Sequence, residues 1–137
     1  MMNRRLFLLA IIGSLAMPVA AQVKLTGTVS EWYGGTPTQS PQKRALVGVT
    51  VVAGVNLDCN TGQSGSDQIR GKVTAKVTTD ASGKYTLSLP TGKFTIIYWK
   101  EGYVPQVDSQ VASPGVHDVE ISKDKGMQGL HRNLTFQ

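Results

Sequence analysis

The chain has 137 residues, 40% hydrophobic and 17% charged, which is enough for one globular domain and leaves no room for a second. Its formal net charge is +5, but the 14 basic residues are scattered singly or in pairs such as Lys43-Arg44, so a nucleic-acid partner is not implied. A single cysteine, Cys59, excludes an internal disulfide and leaves stability to a packed core.

First in chain order stands "MMNRRLFLLAIIGSLAMPVAAQ". Arg4 and Arg5 precede the apolar run from Leu6 to Met17, and Pro18 and the small residues Ala20 and Ala21 follow it. That is the layout of a cleavable export signal, with cleavage expected after Ala21. The run is about a dozen residues, short of the roughly 20 that a spanning helix needs. No cysteine closes it for lipid attachment. The expected organisation is a signal peptide over residues 1–21 and one domain over residues 22–137, periplasmic or secreted, with no membrane span after signal removal. Taking Arg4 and Arg5 from the 14 basic residues leaves 12 against 9 acidic ones, a mild net charge of +3.

Beyond Gln22, alternation with a period of two dominates and helical spacing is nearly absent, so the domain is predicted to be all-β. In "QVKLTGTVSE", Val23, Leu25, Gly27 and Val29 share one face, opposite Lys24, Thr26 and Thr28. Trp32 to Ala45 collects glycine, proline and polar residues and reads as a loop. "LVGVTVVAG" is a second strand with Val47, Val49 and Val51 inward. Asn56 to Lys72 reads as another long polar loop. "VTAKVTT" alternates again, with Val73, Ala75 and Val77 on one side.

Turn chemistry then becomes dense. Asp80 is placed to cap a hairpin whose Gly83 can take positive φ, and Tyr85, Leu87 and Leu89 form the inward side of the strand that follows. Pro90 and Gly92 make the next reversal. "KFTIIYW" is apolar on both faces, Phe94, Ile96 and Tyr98 against Ile97 and Trp99, which predicts a central strand. Gly102-Tyr103 ends it, with Tyr103 expected to fold over the core edge. "QVDSQV", "VHDVEIS" and "LHRNLTF" are weaker strands, the last expected to close the core with Leu134 and Phe136.

This series resembles the carboxypeptidase regulatory-like domain, from about Val23 to Phe136. The resemblance rests on Asp80, Gly83, Tyr85, Leu87, Pro90, Gly92, Phe94 and the pair Gly102-Tyr103, which fall where that family's Asp-x-x-Gly-x-Tyr, Pro-x-Gly-x-Tyr and Gly-Tyr elements stand. Phe94 replaces the commoner tyrosine, and the Trp32–Ala45 and Asn56–Lys72 loops are longer than is usual there. The resemblance implies a seven-stranded antiparallel Greek-key β-sandwich, transthyretin-like or immunoglobulin-like. The shared residues specify turns and fill the core, and are silent about reaction chemistry.

Catalytic and ligand-binding patterns are sparse. Transthyretin-like hydroxyisourate hydrolases resemble this architecture but carry a C-terminal Tyr-Arg-Gly-Ser signature, whereas this chain ends "HRNLTFQ", leaving His117 and His131 without matching context. Two histidines and one cysteine are too few soft ligands at useful spacing for zinc or copper. Loop carboxylates Asp58, Asp67 and Asp80 are hard ligands, yet "DASGK" lacks the acidic density of a calcium loop and reads as a turn. No metal or cofactor is expected. Cys59 lies in no nucleophile signature.

Adhesin B-type repeats of similar architecture join a lysine to an asparagine beside an acid. Lys24, Asn133 and Glu101 are the counterparts here, but alternation turns Lys24 to solvent, where the reaction is disfavoured. Aromatic rings carry the remaining signal. Trp32 and Tyr33 stand in a predicted loop, and Trp99 and Tyr103 near a sheet end, as flat amphipathic surfaces suited to sugar or peptide. The expectation is a non-catalytic envelope module, binding a protein or a glycan.

Overall fold

The computed structural model describes residues 21–62, 65–124 and 132–137. The segment expected to be an export signal, up to residue 20, and His131 lie outside the described residues. Ten strands run in order: β1 (Gln22–Tyr33), β2 (Gln42–Ala45), β3 (Thr50–Thr61), β4 (Ser66–Thr78), β5 (Lys84–Pro90), β6 (Gly92–Trp99), β7 (Gln106–Ser113), β8 (Gly115–Val116), β9 (Val119–Glu120) and β10 (Asn133–Phe136). One sheet has the order β2-β1-β5, with β8 and β9 also on β1, and the other has the order β10-β4-β3-β6-β7.

The two sheets face each other as a sandwich. Leu25, Val29, Tyr85, Leu87 and Leu89 of the first bury themselves against Val51, Ala53, Phe94, Ile96, Tyr98 and Val111 of the second. Alternation produced this pairing: the polar positions between these residues look outward to water. Burial of each large apolar side chain contributes about 1.5–3 kcal/mol. Strand β6 lies between β3 and β7, central as its two apolar faces predict. Tyr103 packs on the core edge.

Several details differ from the sequence reading. The described residues form ten strands where seven were expected, and the sheets are mixed, because β8 and β9 run parallel to β1 and β10 runs parallel to β4. "VHDVEIS" is a strap rather than one strand: Gly115 to Ile121 follows the edge of β1, with His117 N–H donating to Thr26 and Ile121 N–H to Ser30. Val47 is exposed, because Gly48 takes φ 78° in the turn before β3 and it is Leu46 that enters the core. Phe136 does not close the core. It is exposed beneath the ammonium of Lys76, and Leu134 packs outside the sandwich.

The largest difference concerns Asn56–Lys72, which is no loop but the far half of a long β3–β4 hairpin. Trp99 is the register partner of Thr50, and Asp67 that of Thr61. Those two β3 residues are 11 apart, about 36 Å in a straight strand at about 3.3 Å per residue. Yet the Trp99 indole nitrogen donates to Asp67 Oδ2 at 2.7 Å, so the hairpin folds back. The fold falls at register shifts after Ala53 and Val55, with Asn56 at φ 56° and Gly71 at φ 114°. A Cβ on Gly71 would stand 2.9 Å from the Leu57 side chain, so the bend needs glycine there. Leu57 and Ile69 thereby cover Val52 and Ile97 on the outer face of the second sheet.

Candidate functional site

Trp32 and Tyr33 belong to strand, not loop: they end β1, opposite Lys43 and Gln42 of β2. Neighbours along a strand point to opposite faces, so the two rings do not form one platform. Trp32 is 53% exposed on the outer face of the first sheet. Its indole nitrogen donates to Glu120 Oε1 at 2.8 Å, and Lys43 Nζ lies 5.1 Å from the ring centroid. Lys43 and Glu120 close the frame with a 2.7 Å ion pair. Bonds from Lys43 and Trp32 hold the Glu120 carboxyl below its usual value. The ring is therefore exposed and held in one pose.

Beyond Trp32, the outer face of β1 is the floor of a groove. Two clefts, about 420 Å³ and about 320 Å³, share Thr28 and Asp118. One lies over Thr26 and Thr28 between Lys84 and Val116, and the other over Thr28 and Ser30 between Lys43 and Glu120. The strap forms one wall, fixed where Asp118 Oδ1 accepts the Thr28 amide at 2.9 Å.

A third cleft, of about 350 Å³, is lined by Glu31, Trp32, Tyr33, Arg44 and Lys123. Arg44 lies 4.6 Å from the Tyr33 centroid and donates to Glu31 Oε2 at 2.7 Å. Burial pushes the Glu31 carboxyl up, but bonds from Arg44 and the Tyr103 hydroxyl outweigh it and hold the group below its usual value. Tyr103 itself is pushed up to about 12, by burial first and then by its bond to Glu31. Tyr33 and Tyr103 thus meet through Glu31 and Arg44.

Trp99 joins neither group. It lies on the outer face of the second sheet, where Asp67 binds its indole and the guanidinium of Arg132, whose Nη2 also reaches the Gly62 carbonyl at 2.6 Å. Burial pushes the Asp67 carboxyl up, and its bonds to Arg132 and Trp99 outweigh that to leave it lowered. Asp67 and Glu31 therefore have folded values below the unfolded ones of about 4. Their stabilisation is complete above about pH 4 and disappears as pH falls through the lowered values. We expect urea midpoints to fall on acidification below about pH 4, and to fall less steeply in Glu31→Gln. A midpoint that rose instead would contradict the assignment.

The other candidates have structural partners. His117 Nε2 lies 2.7 Å from Asp108 Oδ2 and its ring stacks on Tyr98, while Tyr85 donates to the His117 carbonyl at 2.5 Å and shares a 2.9 Å bond with Tyr98. This cluster pins the strap on the inner face of β6 and β7, whereas the Asn56–Lys72 hairpin covers their sheet's outer face. Cys59 packs against the outer cluster, and burial, then Asp67 and Asp58, push its thiol up, away from the reactive thiolate. Asp58 pairs with Arg70, and Asp80 Oδ1 accepts the amides of Ser82 and Lys84, the predicted cap. Among the described residues no group of three or more His, Cys, Asp or Glu is placed to hold a metal ion. Lys24 donates to Ser88 in the first sheet while Asn133 stands in the second, so the two do not meet. No helix among the described residues is long and apolar enough to cross a membrane.

Sequence reasoning missed Lys43, Asp118 and Glu120 as site residues. Only the hydroxyl alternation Thr26, Thr28, Ser30 leading into Trp32 was a local signal of the groove. No family model matches the chain, and no curated protein matches it by sequence. Among solved structures, a chain of a type II cohesin-X-dockerin complex from Acetivibrio cellulolyticus, a C-terminal interface mutant, is similar with a TM-score of 0.44 and 17% identity. The match covers 72% of this chain and 51% of that one, so this chain spans about half its length.

Proposed function

We propose that this protein is an exported, non-catalytic binding module of the cell envelope, periplasmic or secreted, which recognises its ligand through the β1–β2 hairpin. The observation that carries this reading is Trp32, an aromatic ring 53% exposed and yet fixed by Glu120 and Lys43. Fixing an exposed ring costs side-chain entropy that the fold itself does not need, and a ring already ordered loses little more when a ligand docks. The opening Arg4-Arg5 and Leu6–Met17 pattern supports export, and the resemblance of the Asp80, Gly83, Pro90, Gly92, Gly102 and Tyr103 turns to carboxypeptidase regulatory-like domains supports a scaffold role.

A polypeptide partner is the second reading, favoured by one feature: β5 ends the first sheet, and its outer edge has no partner strand among the described residues. Such an edge can accept an added strand. Fractionation and intact mass test the export half, with a protein beginning at Gln22 expected in the envelope or medium. Sedimentation with native envelope material tests the binding half. Wild type should co-sediment and Trp32→Ala should lose most of that retention at unchanged melting temperature. A cytoplasmic, uncleaved protein, or equal retention of both forms, would refute the respective half.

A further inference from the structure

We infer that the outer edge of β5 takes up one extended segment of a partner protein, apolar at every second residue and acidic between. This rests on the polypeptide reading above and adds the register, the faces and the charge of the added strand. The bonds of β1 define the open groups. The Thr26 and Ser30 carbonyls accept the strap's His117 and Ile121 amides, and the Thr28 amide goes to Asp118, whereas Val29 bonds Gly83 and Leu46 on the other side. Backbone groups of successive strand residues point to alternate sides, so Val23, Leu25 and Gly27 bond Leu89, Leu87 and Tyr85. The N–H and C=O of Thr86 and of Ser88 therefore point away from β1. Both residues are exposed, and no strand among the described residues pairs with that side of β5. Pro90, which has no N–H, ends the open stretch at one end, and at the other the Asp80 turn takes both backbone groups of Lys84.

The opposite sheet is one strand wider here. His117 and Asp108 fix the strap over β7, so strap, β1 and β5 stand against β7, β6 and β3, which leaves β4 overhanging. Ala75 and Val77 of β4 show the consequence: they pack against the core but are only half-buried, whereas their β3 partners Ala53 and Val51 are 0% exposed. A strand bonded to Thr86 and Ser88 would lay its inward side chains over Ala75 and Val77, which calls for apolar residues there. Its outward side chains would lie beside two exposed lysines, Lys84 and Lys24, the latter reaching across to Ser88 Oγ at 2.9 Å. Strand β5 has no acid of its own, and the Asp80 and Asp118 carboxylates are engaged by backbone amides. Carboxylates on the added strand complete the cross-strand pairs. A second copy fits badly, because joining β5 to β5 antiparallel keeps both inner faces on one side and drives the two overhanging β4 strands into each other.

The test is amide exchange by NMR on the purified, isotope-labelled protein, alone and with synthetic peptides seven residues long, as β5 is. In the free protein the Thr86 and Ser88 amides should exchange fast and those of Tyr85 and Leu87 slowly. A peptide alternating valine and glutamate should slow Thr86 and Ser88 and shift the Ala75 and Val77 methyl signals, and one alternating valine and lysine should do neither. Lys24→Glu should weaken the binding about fivefold, an exposed attraction having become a repulsion of similar size. Ser88→Pro removes a donor that the fold does not use, and should abolish binding at a melting temperature near that of wild type. Slow exchange at Thr86 and Ser88 in the free protein would overturn the inference, because the edge would already be filled by this chain or, where protection grows with concentration, by a second copy. Unchanged exchange with the valine–glutamate peptide, or equal binding of the lysine peptide, would overturn it too. In each of these cases retention of wild type on native envelope material leaves the binding module standing, and only loss of that retention as well removes both.

Discussion

Asp67→Ala is expected to destabilise the protein by about 3–5 kcal/mol, the usual cost of leaving a buried charge without its partner. Asp67 is 1% exposed and Arg132 8% exposed, so neither can turn to water when the other is removed. The variant also removes the partner of the half-buried Trp99 indole N–H, which adds about 1 kcal/mol to the same tally. Since the three groups tie the folded-back hairpin to β6 and to the chain before β10, the damage should reach the outer cluster of Val52, Leu57, Ile69 and Ile97. Urea unfolding followed by tryptophan fluorescence measures this, with the Trp99 emission shifting red in the variant. Asp67→Ala combined with Arg132→Leu should recover much of the loss, because it removes the buried charge that has lost the Asp67 carboxylate. A loss below about 1 kcal/mol for Asp67→Ala would mean that the pair is solvated and the hairpin stands open.

Gly27→Ala should be nearly as damaging, at about 2–4 kcal/mol from overpacking together with a lost hydrogen bond. A Cβ at this position would stand 1.9 Å from the His117 carbonyl oxygen and 2.7 Å from the Tyr85 hydroxyl. Main chain, not a flexible side-chain tip, is what it meets, so the strap must leave β1. With the strap goes the Tyr85 bond to that carbonyl, the Thr26–His117 backbone bond and the wall that carries Asp118 and Glu120. Hydrogen exchange at the His117 and Ile121 amides reads the displacement directly and should rise well above wild type. Loss of the Glu120 frame should also free the Trp32 ring, lowering its fluorescence anisotropy. Unchanged protection at both amides would show that the strap does not depend on its approach to Gly27.

Much of the core was legible because its signal is local. Leu25 and Val29 and the run Tyr85-Leu87-Leu89 alternate with polar residues, and a period of two assigns faces whatever the partner strand turns out to be, while the apolar residues on both faces of Phe94–Trp99 mark a central strand. Turns were legible for the same reason: Asp80 and Gly83 form theirs within five residues. Asn56–Lys72 misled because its polarity is that of a loop, while its two apolar anchors, Leu57 and Ile69, are 12 residues apart and meet Val52 and Ile97 only after the hairpin bends. Trp32 to Ala45 misled in a like manner, since four exposed residues of β2 carry no alternating pattern and gain their register only from β1.

What the amino-acid sequence by itself determined is thus the all-β class, the inward faces of the central strands and the glycine and aspartate turns, all of which follow from chemistry within a few neighbouring residues. Only the tertiary structure decided that Trp32 points away from Tyr33 and Tyr103 and away from Trp99, that Glu120 crosses 88 positions of chain to hold it, and that the hydroxyls of β1 line a groove. The physical reason is that a strand's backbone pairing specifies no partner. Which segments lie side by side, and so which side chains form a site, is settled by burial summed over the whole sandwich.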